Sequence, residues 1–432
     1  MTRRANADAV PIDASRRNVL AGIAGGALAG AAVAIGSDAA AQPSSAPLPR
    51  VTEAVTPFRV VTSSAAISDA RHRLQATRWP ERQTADDWRQ GVPLATIQKL
   101  VEYWRTAYDW RRLERRSNAY PQFRTEIDGL GIHLLHVRSP HEHARPLILT
   151  HGWPGSIVEF LNVIDPLTNP TQHGGRPEDA FHVVVPSLPG YGFSDKPTGS
   201  GWGLPRIARA WSVLMRRLGY TEYFAQGGDW GAGVTTWMAK QHVEGLAAIH
   251  LNLPILFPPP IEGEPNPVEK ATIADLIKFN DERSAYARIQ STRPQTLGYA
   301  LADSPAGQAA WIYEKLAEWS DSNYEPEREI SRDEMLDNIS LYWLTNTAAS
   351  SARLYHESFG SDFSTQRLDL PVAVSVFPGE LFRPPRLWGE RVYSRLFYWN
   401  EAARGGHFAA FEQPAVFVEE LRAAFRALPR GG

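Results

Sequence analysis

The side chains of this chain that could do covalent chemistry fall in three short stretches. In Ala225–Gly233, "AQGGDWGAG", a carboxylate, Asp229, stands between paired glycines directly after an apolar run. Small residues on either side of one polar residue mark a sharp strand-to-helix turn that presents a nucleophile. Such a turn ordinarily carries serine, and here it carries aspartate. Glu380 follows the strand-like run "VAVSVFPGE", and His407 lies in "ARGGHFAAFEQP". Taken singly, an Asp in a glycine-rich turn is a turn-former, a Glu at a strand end is solvated, and a lone His is structural. Nucleophile, acid and histidine in that chain order, each behind a predicted strand, point to catalysis.

The aspartate narrows the chemistry. A serine attacking an sp³ carbon would form an ether, which activated water does not cleave. A carboxylate forms an alkyl ester, and water attacking the carboxyl carbon regenerates the enzyme. The expected electrophile is therefore an epoxide or alkyl halide carbon, which argues against an ordinary esterase or lipase. His407 would be the general base of the second step, with Glu380 orienting its ring. The oxyanion on Asp229 would meet two backbone N–H groups. One belongs to Trp230, and the other to Trp153 in "HGWPG", behind the strand "LILT". Opening an epoxide also needs a proton donor for the departing oxygen. A tyrosine hydroxyl suits that role, and composition does not choose among the chain's 14 tyrosines.

Apolar runs and helical stretches alternate through "PLILTHGWPGS", "FHVVVPSLPGYGFSDKP", "YFAQGGDWGAG", "AAIHLNLP" and "LPVAVSVFPGEL". This is the pattern of an α/β fold on a parallel sheet buried on both faces. "FRTEIDGLGIHLLHVRS" reads as a hairpin turning at Asp128-Gly129. His133 and His136 fall three apart in its second strand and face opposite sides, so they do not share a metal. Residues 57–120 read as helical. One helix is capped at Ser68/Asp69 and stops at Trp79-Pro80, and one long amphipathic helix, "PLATIQKLVEYWRTAYDWRRLERR", has its arginines on a solvated face. Residues 121–256 and 367–432 form the core. Between them, residues 257–366 lose the strand signal and read as a helical cap over the sheet edge where ligands bind. The stretch after Glu380 has room for a helix, "PPRLWGERVYSRL", and a strand, "FYWNEA", before His407.

A net charge of -2 supplies no attraction for nucleic acid. The absence of cysteine removes disulfides, thiolate metal sites and cysteine nucleophiles together. His141-Glu142-His143 sits in a charged loop and reads as solvated, so no metal or other cofactor is expected. Residues 1–41 carry Arg16-Arg17, an uncharged Ala/Gly-rich run and Ala39-Ala40-Ala41 as a cleavage site. They resemble a twin-arginine export signal. The expected address is periplasmic or secreted, with the export machinery as partner and 42–56 as a linker. The alternative is an uncleaved N-terminal membrane anchor.

The motifs together resemble the epoxide hydrolases of the α/β-hydrolase fold, in particular the microsomal and juvenile-hormone type with its own N-terminal domain. They are Arg78-Trp79-Pro80, His151-Gly152-Trp153-Pro154, Gly190-Tyr191-Gly192-Phe193-Ser194, Gly227-Gly228-Asp229-Trp230-Gly231 and "RGGHFAAFEQP". The resemblance runs from about Pro57 to the C-terminus. It implies Asp229 as nucleophile, His407 as base and Glu380 as acid, with a lipophilic epoxide and water as reactants and no cofactor. It also selects two tyrosines as proton donors, Tyr286 in "RSAYARIQ" and Tyr355 in "SSARLYHES". Where microsomal enzymes carry a membrane anchor, this chain has its export-like signal. A homodimer is compatible with the sequence. Two rivals stay open: a haloalkane dehalogenase, with the Trp230 indole holding halide, and a non-catalytic binder of apolar ligands on the same fold.

Overall fold

The computed structural model describes residues 52–256, 263–359 and 367–429. The export-like signal and residues 42–51 of the linker lie outside them. The apolar runs become strands of one nine-stranded sheet: β1 (Thr56–Phe58), β2 (Gln122–Ile127), β3 (Leu130–Val137), β4 (Arg145–Thr150), β5 (Phe181–Pro186), β6 (Tyr223–Gly227), β7 (Leu246–Leu251), β8 (Leu368–Val376) and β9 (Tyr393–Glu401). Their spatial order is β1-β2-β3-β5-β4-β6-β7-β8-β9. Pairing is antiparallel from β1 to β5 and parallel from β5 to β9. Every residue of β6, and Leu147–Thr150 of β4, is buried. Consecutive buried residues mean that both faces of the sheet are covered. The hairpin turns at Asp128 (φ 53°) and Gly129 (φ 77°), the two positive angles that suit a tight turn between twisted strands.

The N-terminal segment holds α1 (Ser64–Gln75), α2 (Leu94–Thr106) and α3 (Arg112–Ser117). It departs from expectation in three ways. First, α1 begins ahead of Ser68/Asp69 because Ser63, in extended backbone, accepts the Ala66 N–H at 3.0 Å and caps the helix there. It ends at Gln75, short of Trp79. Second, the long helix breaks between Thr106 and Arg112. Tyr108 and Trp110 turn inward, and Trp110 stacks on Trp104 at 5.0 Å with its indole N–H on the Trp104 carbonyl. Burying two large rings outweighs continuing the helix. Third, Arg112 and Arg116 do not line a solvated face. Both pair with the fully buried carboxylate of Asp337, which also accepts the Tyr108 hydroxyl at 2.7 Å.

The core adds α4 (Ile164–Thr168), α5 (Leu204–Arg217) and α6 (Asp229–Lys240). Between β7 and β8 the regular elements of the described residues are helical. They include α7 (Pro267–Glu282), α8 (Ala285–Thr292), α9 (Pro294–Asp303), α10 (Pro305–Trp319), α11 (Arg332–Thr345) and α12 (Ala348–Ser358). The C-terminal part adds α13 (Arg386–Val392), α14 (Ala409–Glu412) and α15 (Pro414–Ala427). Here α13 stops at Val392, and β9 starts at Tyr393, four residues before the expected strand. From there it pairs with β8 from Leu368–Tyr393 to Val376–Glu401, with two register shifts on the way, and that ladder overrides the helical pattern of the sequence.

Candidate active site

The turn that carries Asp229 is a steric construction. Asp229 adopts φ 48°, a left-handed conformation that is costly for a residue with a Cβ and that concentrates at functional sites. The glycines around it let backbone approach backbone. A Cβ on Gly231 would stand 1.9 Å from the Thr150 carbonyl oxygen, and one on Gly227 would stand 2.2 Å from that of Gly231. The spacing of small residues therefore presses α6 against β4 and β6, and it projects Asp229 at the strand's C-terminal end.

Asp229 meets its partners there. Its Oδ2 lies 3.2 Å from His407 Nε2, and His407 Nδ1 lies 2.7 Å from Glu380 Oε1. The two loops that carry the acid and the base are tied backbone to backbone. A parallel bridge joins Gly379 to Gly406, and the Gly379 N–H donates to Gly405 O at 2.9 Å. The His407 N–H donates to the carbonyl of Trp319 at the end of α10. Glu412, Oε1 and Oε2 respectively, accepts the Phe408 N–H at 2.9 Å and the Asp321 N–H at 2.8 Å, bracing the base loop from below. Burial pushes the Glu412 carboxyl up to about 7. Burial pulls His407 down, yet the anions of Glu380 and Asp229 together hold its imidazole well above the ordinary range.

The other Asp229 oxygen, Oδ1, accepts the Trp153 N–H at 2.7 Å. Gly152 must be glycine at this approach, because a Cβ there would stand 2.0 Å from Oδ1. The loop is held from both sides. His151 Nδ1 lies 3.0 Å from Gly152 O, and its Nε2 accepts the Leu188 N–H, which fixes the neutral tautomer. Burial lowers this histidine to about 4. From α11, Asn338 Nδ2 donates to Pro154 O at 2.8 Å, Ser156 Oγ donates to Asn338 Oδ1 at 2.7 Å, and the Tyr342 hydroxyl donates to Gly155 O at 2.8 Å. Trp230, second residue of α6, is buried with its ring edge-on to Tyr355 at 4.7 Å.

Tyr286 on α8 and Tyr355 on α12 are both buried against this cluster. Their rings are 5.9 Å apart, and Tyr286 stacks on Trp153 at 5.3 Å and 11°. Burial, then the Asp229 charge, pushes the Tyr286 phenol far up; burial, then Tyr286 and Asp229, does the same for Tyr355. Both hydroxyls are kept protonated. The structure thus gathers all seven residues singled out in the sequence into one cluster. His133 and His136 sit apart from it, bonded to Ser187 and Gln122 and to Tyr220 respectively.

A small cavity with a mixed polar and apolar wall and room for water lies against Asp229 and His407. Trp153, Glu159, Asn252 and Phe408 also line it, and neither tyrosine does. Glu159, Asn338 and Glu412 were not singled out from the sequence. For Glu159 the available signal was a lone carboxylate inside the apolar run "SIVEFLNVI".

Residues 55–160 match the family described as epoxide hydrolase N terminus, and residues 145–288 match the alpha/beta hydrolase fold. A Stigmatella aurantiaca protein named "Putative epoxide hydrolase" is 62% identical over 87% of this chain and 85% of its own. Epoxide hydrolase 1 of Sus scrofa is 36% identical over 88% of this chain and 90% of its own. The solved epoxide hydrolase of Aspergillus niger superposes with a TM-score of 0.79 at 34% identity, over 88% of this chain and 98% of that one. The juvenile hormone epoxide hydrolase of Bombyx mori has a TM-score of 0.79 at 29% identity, over 87% and 95%. With this fold, this N-terminal segment and relatives matched over most of their length, the chain belongs to the epoxide hydrolases of the α/β-hydrolase fold.

Proposed function

We propose that this epoxide hydrolase works through an ester on Asp229, in two steps assigned to its own residues. The observation that carries the reading is the line Glu380–His407–Asp229, with one Asp229 oxygen on the Trp153 N–H and the other facing the base. In the first step Oδ2 forms a bond to an epoxide carbon. That carbon's bond to the ring oxygen breaks, and the ring oxygen takes a proton from Tyr286 or Tyr355. Two buried, protonated phenols suit a departing alkoxide.

In the second step His407 Nε2 takes a proton from water, and the resulting hydroxide adds to Asp229 Cγ. The oxyanion forms on Oδ1, where the Trp153 N–H already points and the Trp230 N–H is the second donor in this assignment. The Cγ–Oδ2 bond then breaks, and the diol leaves with Oδ2 and the proton from His407. The carboxylic acid left on Asp229 gives up its proton, and a proton from solvent restores the tyrosine. The aromatic cluster of Trp153, Trp230, Tyr286, Trp319 and Tyr355 packed around Asp229 and His407 suits a lipophilic epoxide.

A single turnover in H₂¹⁸O, with enzyme in excess over styrene oxide, tests the assignment. The expected result is unlabelled diol and one ¹⁸O in the peptide that contains Asp229, with no diol from Asp229→Ala. Labelled diol from the first turnover would mean direct attack by water and would reject the ester. Export to the periplasm or beyond belongs to the same reading, supported by Arg16-Arg17 and the Ala39-Ala40-Ala41 site. A mature protein starting at Gln42 in the exported fraction is its expected signature, and full-length cytoplasmic protein would count against it.

A further inference from the structure

The tyrosines serve the first step, while nothing assigned so far places the water of the second. That water must touch both His407 Nε2 and Asp229 Cγ, on the side of the carboxylate away from the tyrosines. The cavity described above is the place for it, since Asp229 and His407 both line it and Tyr286 and Tyr355 do not. Its remaining wall is mixed. Phe408, Ala409 and Phe417 are apolar, and Asn252 and Glu159 bring polar side chains. A water there needs two to four polar partners to be held. Giving one hydrogen to His407 leaves its second O–H without an acceptor.

We propose that Glu159 is a positioning residue for the hydrolytic water, its carboxyl accepting the O–H that His407 does not take. Glu159 lies in the 3₁₀ turn Ile157–Phe160, directly after the loop that carries Trp153. Its carboxyl folds back over Gly155, where a Cβ would stand 1.3 Å from Oε1. The second glycine of "HGWPG" is therefore what lets a carboxyl enter the cavity. Burial pushes Glu159 up to about 8, with His407 opposing and Asp229 and Glu412 adding to the rise. The side chain is then uncharged at neutral pH. It still offers an acceptor oxygen, and it does not place a second anion beside the nucleophile. The step itself is unchanged in its balance: Glu159 neither gains nor loses a proton over the turnover.

This inference rests on the Asp229 ester, so the experiment separates the two. Enzyme mixed with styrene oxide is acid-quenched in time, and intact-protein mass reports the covalent adduct while diol is measured in parallel. His407→Gln serves as the trap, because it should alkylate and not hydrolyse. In Glu159→Ala, ester hydrolysis should slow by roughly 10- to 100-fold through loss of water placement, with alkylation little changed, so adduct accumulates. Glu159→Gln keeps an acceptor oxygen and should recover most of that loss, which a purely steric role would not require. Three results overturn the proposal: wild-type hydrolysis in Glu159→Ala, an equal loss in both steps, or Gln no better than Ala. Absence of adduct even in His407→Gln would instead overturn the ester, and this proposal with it.

Discussion

Replacing Gly152 by alanine tests the oxyanion geometry with a single methyl group. The new Cβ would stand 2.0 Å from Asp229 Oδ1, 2.4 Å from its Cβ and 2.5 Å from its Cγ. Ordinary contact begins near 3.4 Å, so the carboxylate or the loop must give way by about 1.4 Å. Neither is free to do so. Carbonyls of Pro154 and Gly155 are tied to Asn338 and Tyr342, and the turn carrying Asp229 is wedged against Thr150 through Gly231. Gly152 has no positive φ, so alanine brings no backbone strain of its own. The displacement opens the 2.7 Å bond from the Trp153 N–H beyond hydrogen-bonding range. Losing one oxyanion donor costs about 10²- to 10³-fold in kcat, roughly 3 to 4 kcal/mol. Steady-state diol formation gives kcat. Stopped-flow quenching of tryptophan emission, with Trp153 and Trp230 beside the nucleophile, gives alkylation. A melting curve close to wild type shows that the fold has held. A folded Gly152→Ala enzyme with kcat within about 5-fold of wild type would refute the assignment of Trp153 as the oxyanion donor.

Three other perturbations read other parts of the site. Glu380→Gln removes an anion that holds His407 high, so the base is neutral at lower pH than in wild type. The acid limb of the kcat profile should move to lower pH while kcat falls by about 10²- to 10⁴-fold, as when a triad acid is neutralised; an unmoved limb would contradict the pairing. Tyr286→Phe and Tyr355→Phe should each slow alkylation by about 10²-fold, the lower end for loss of a general acid, and leave ester hydrolysis nearly unchanged. A stopped-flow trace with slowed hydrolysis instead would assign the tyrosines wrongly. Asp337→Ala leaves Arg112 and Arg116 against a buried gap and should cost about 3 to 5 kcal/mol in thermal or denaturant unfolding. Unchanged stability would mean that the contact between N-terminal segment and cap is incidental.

What could be read from the sequence followed from local constraint. The small residues around Asp229 are dictated by close backbone approach, where a Cβ on Gly231 or Gly227 would stand 1.9 or 2.2 Å from a carbonyl oxygen, so their spacing carries the geometry without an alignment. Strands β4, β5 and β6 were legible because a sheet covered on both faces demands unbroken apolar runs. The acid and base were legible from their order behind predicted strands. Proton donors were not, since their position depends on how the cap packs, and only the resemblance selected Tyr286 and Tyr355. Arg112 and Arg116 of α3 were misread for a similar reason: Asp337 lies 225 residues from Arg112 in sequence. An amphipathic pattern shows which face is polar, and it does not show which distant carboxylate will cover that face. Glu159 is the sharpest case, because its place in the cavity follows from a missing methyl on Gly155.

In the proposed mechanism, a carboxylate nucleophile does more than make the intermediate hydrolysable. In the resting site the Asp229 charge adds to burial in raising Tyr286 and Tyr355 and adds to Glu380 in raising His407. Burial and that charge together keep the phenols protonated for ring opening, and the imidazole is biased toward its protonated form. Ester formation removes that charge. His407 then keeps Glu380 as its principal anionic partner, and its proton affinity falls just when a neutral imidazole is needed. The same loss makes the phenols easier to ionise as one of them carries the charge of the opened ring. A serine at this turn could not provide that change, because its attack neutralises no anion at the hydroxyl. In that mechanism the order of the steps follows from a charge that the nucleophile itself removes.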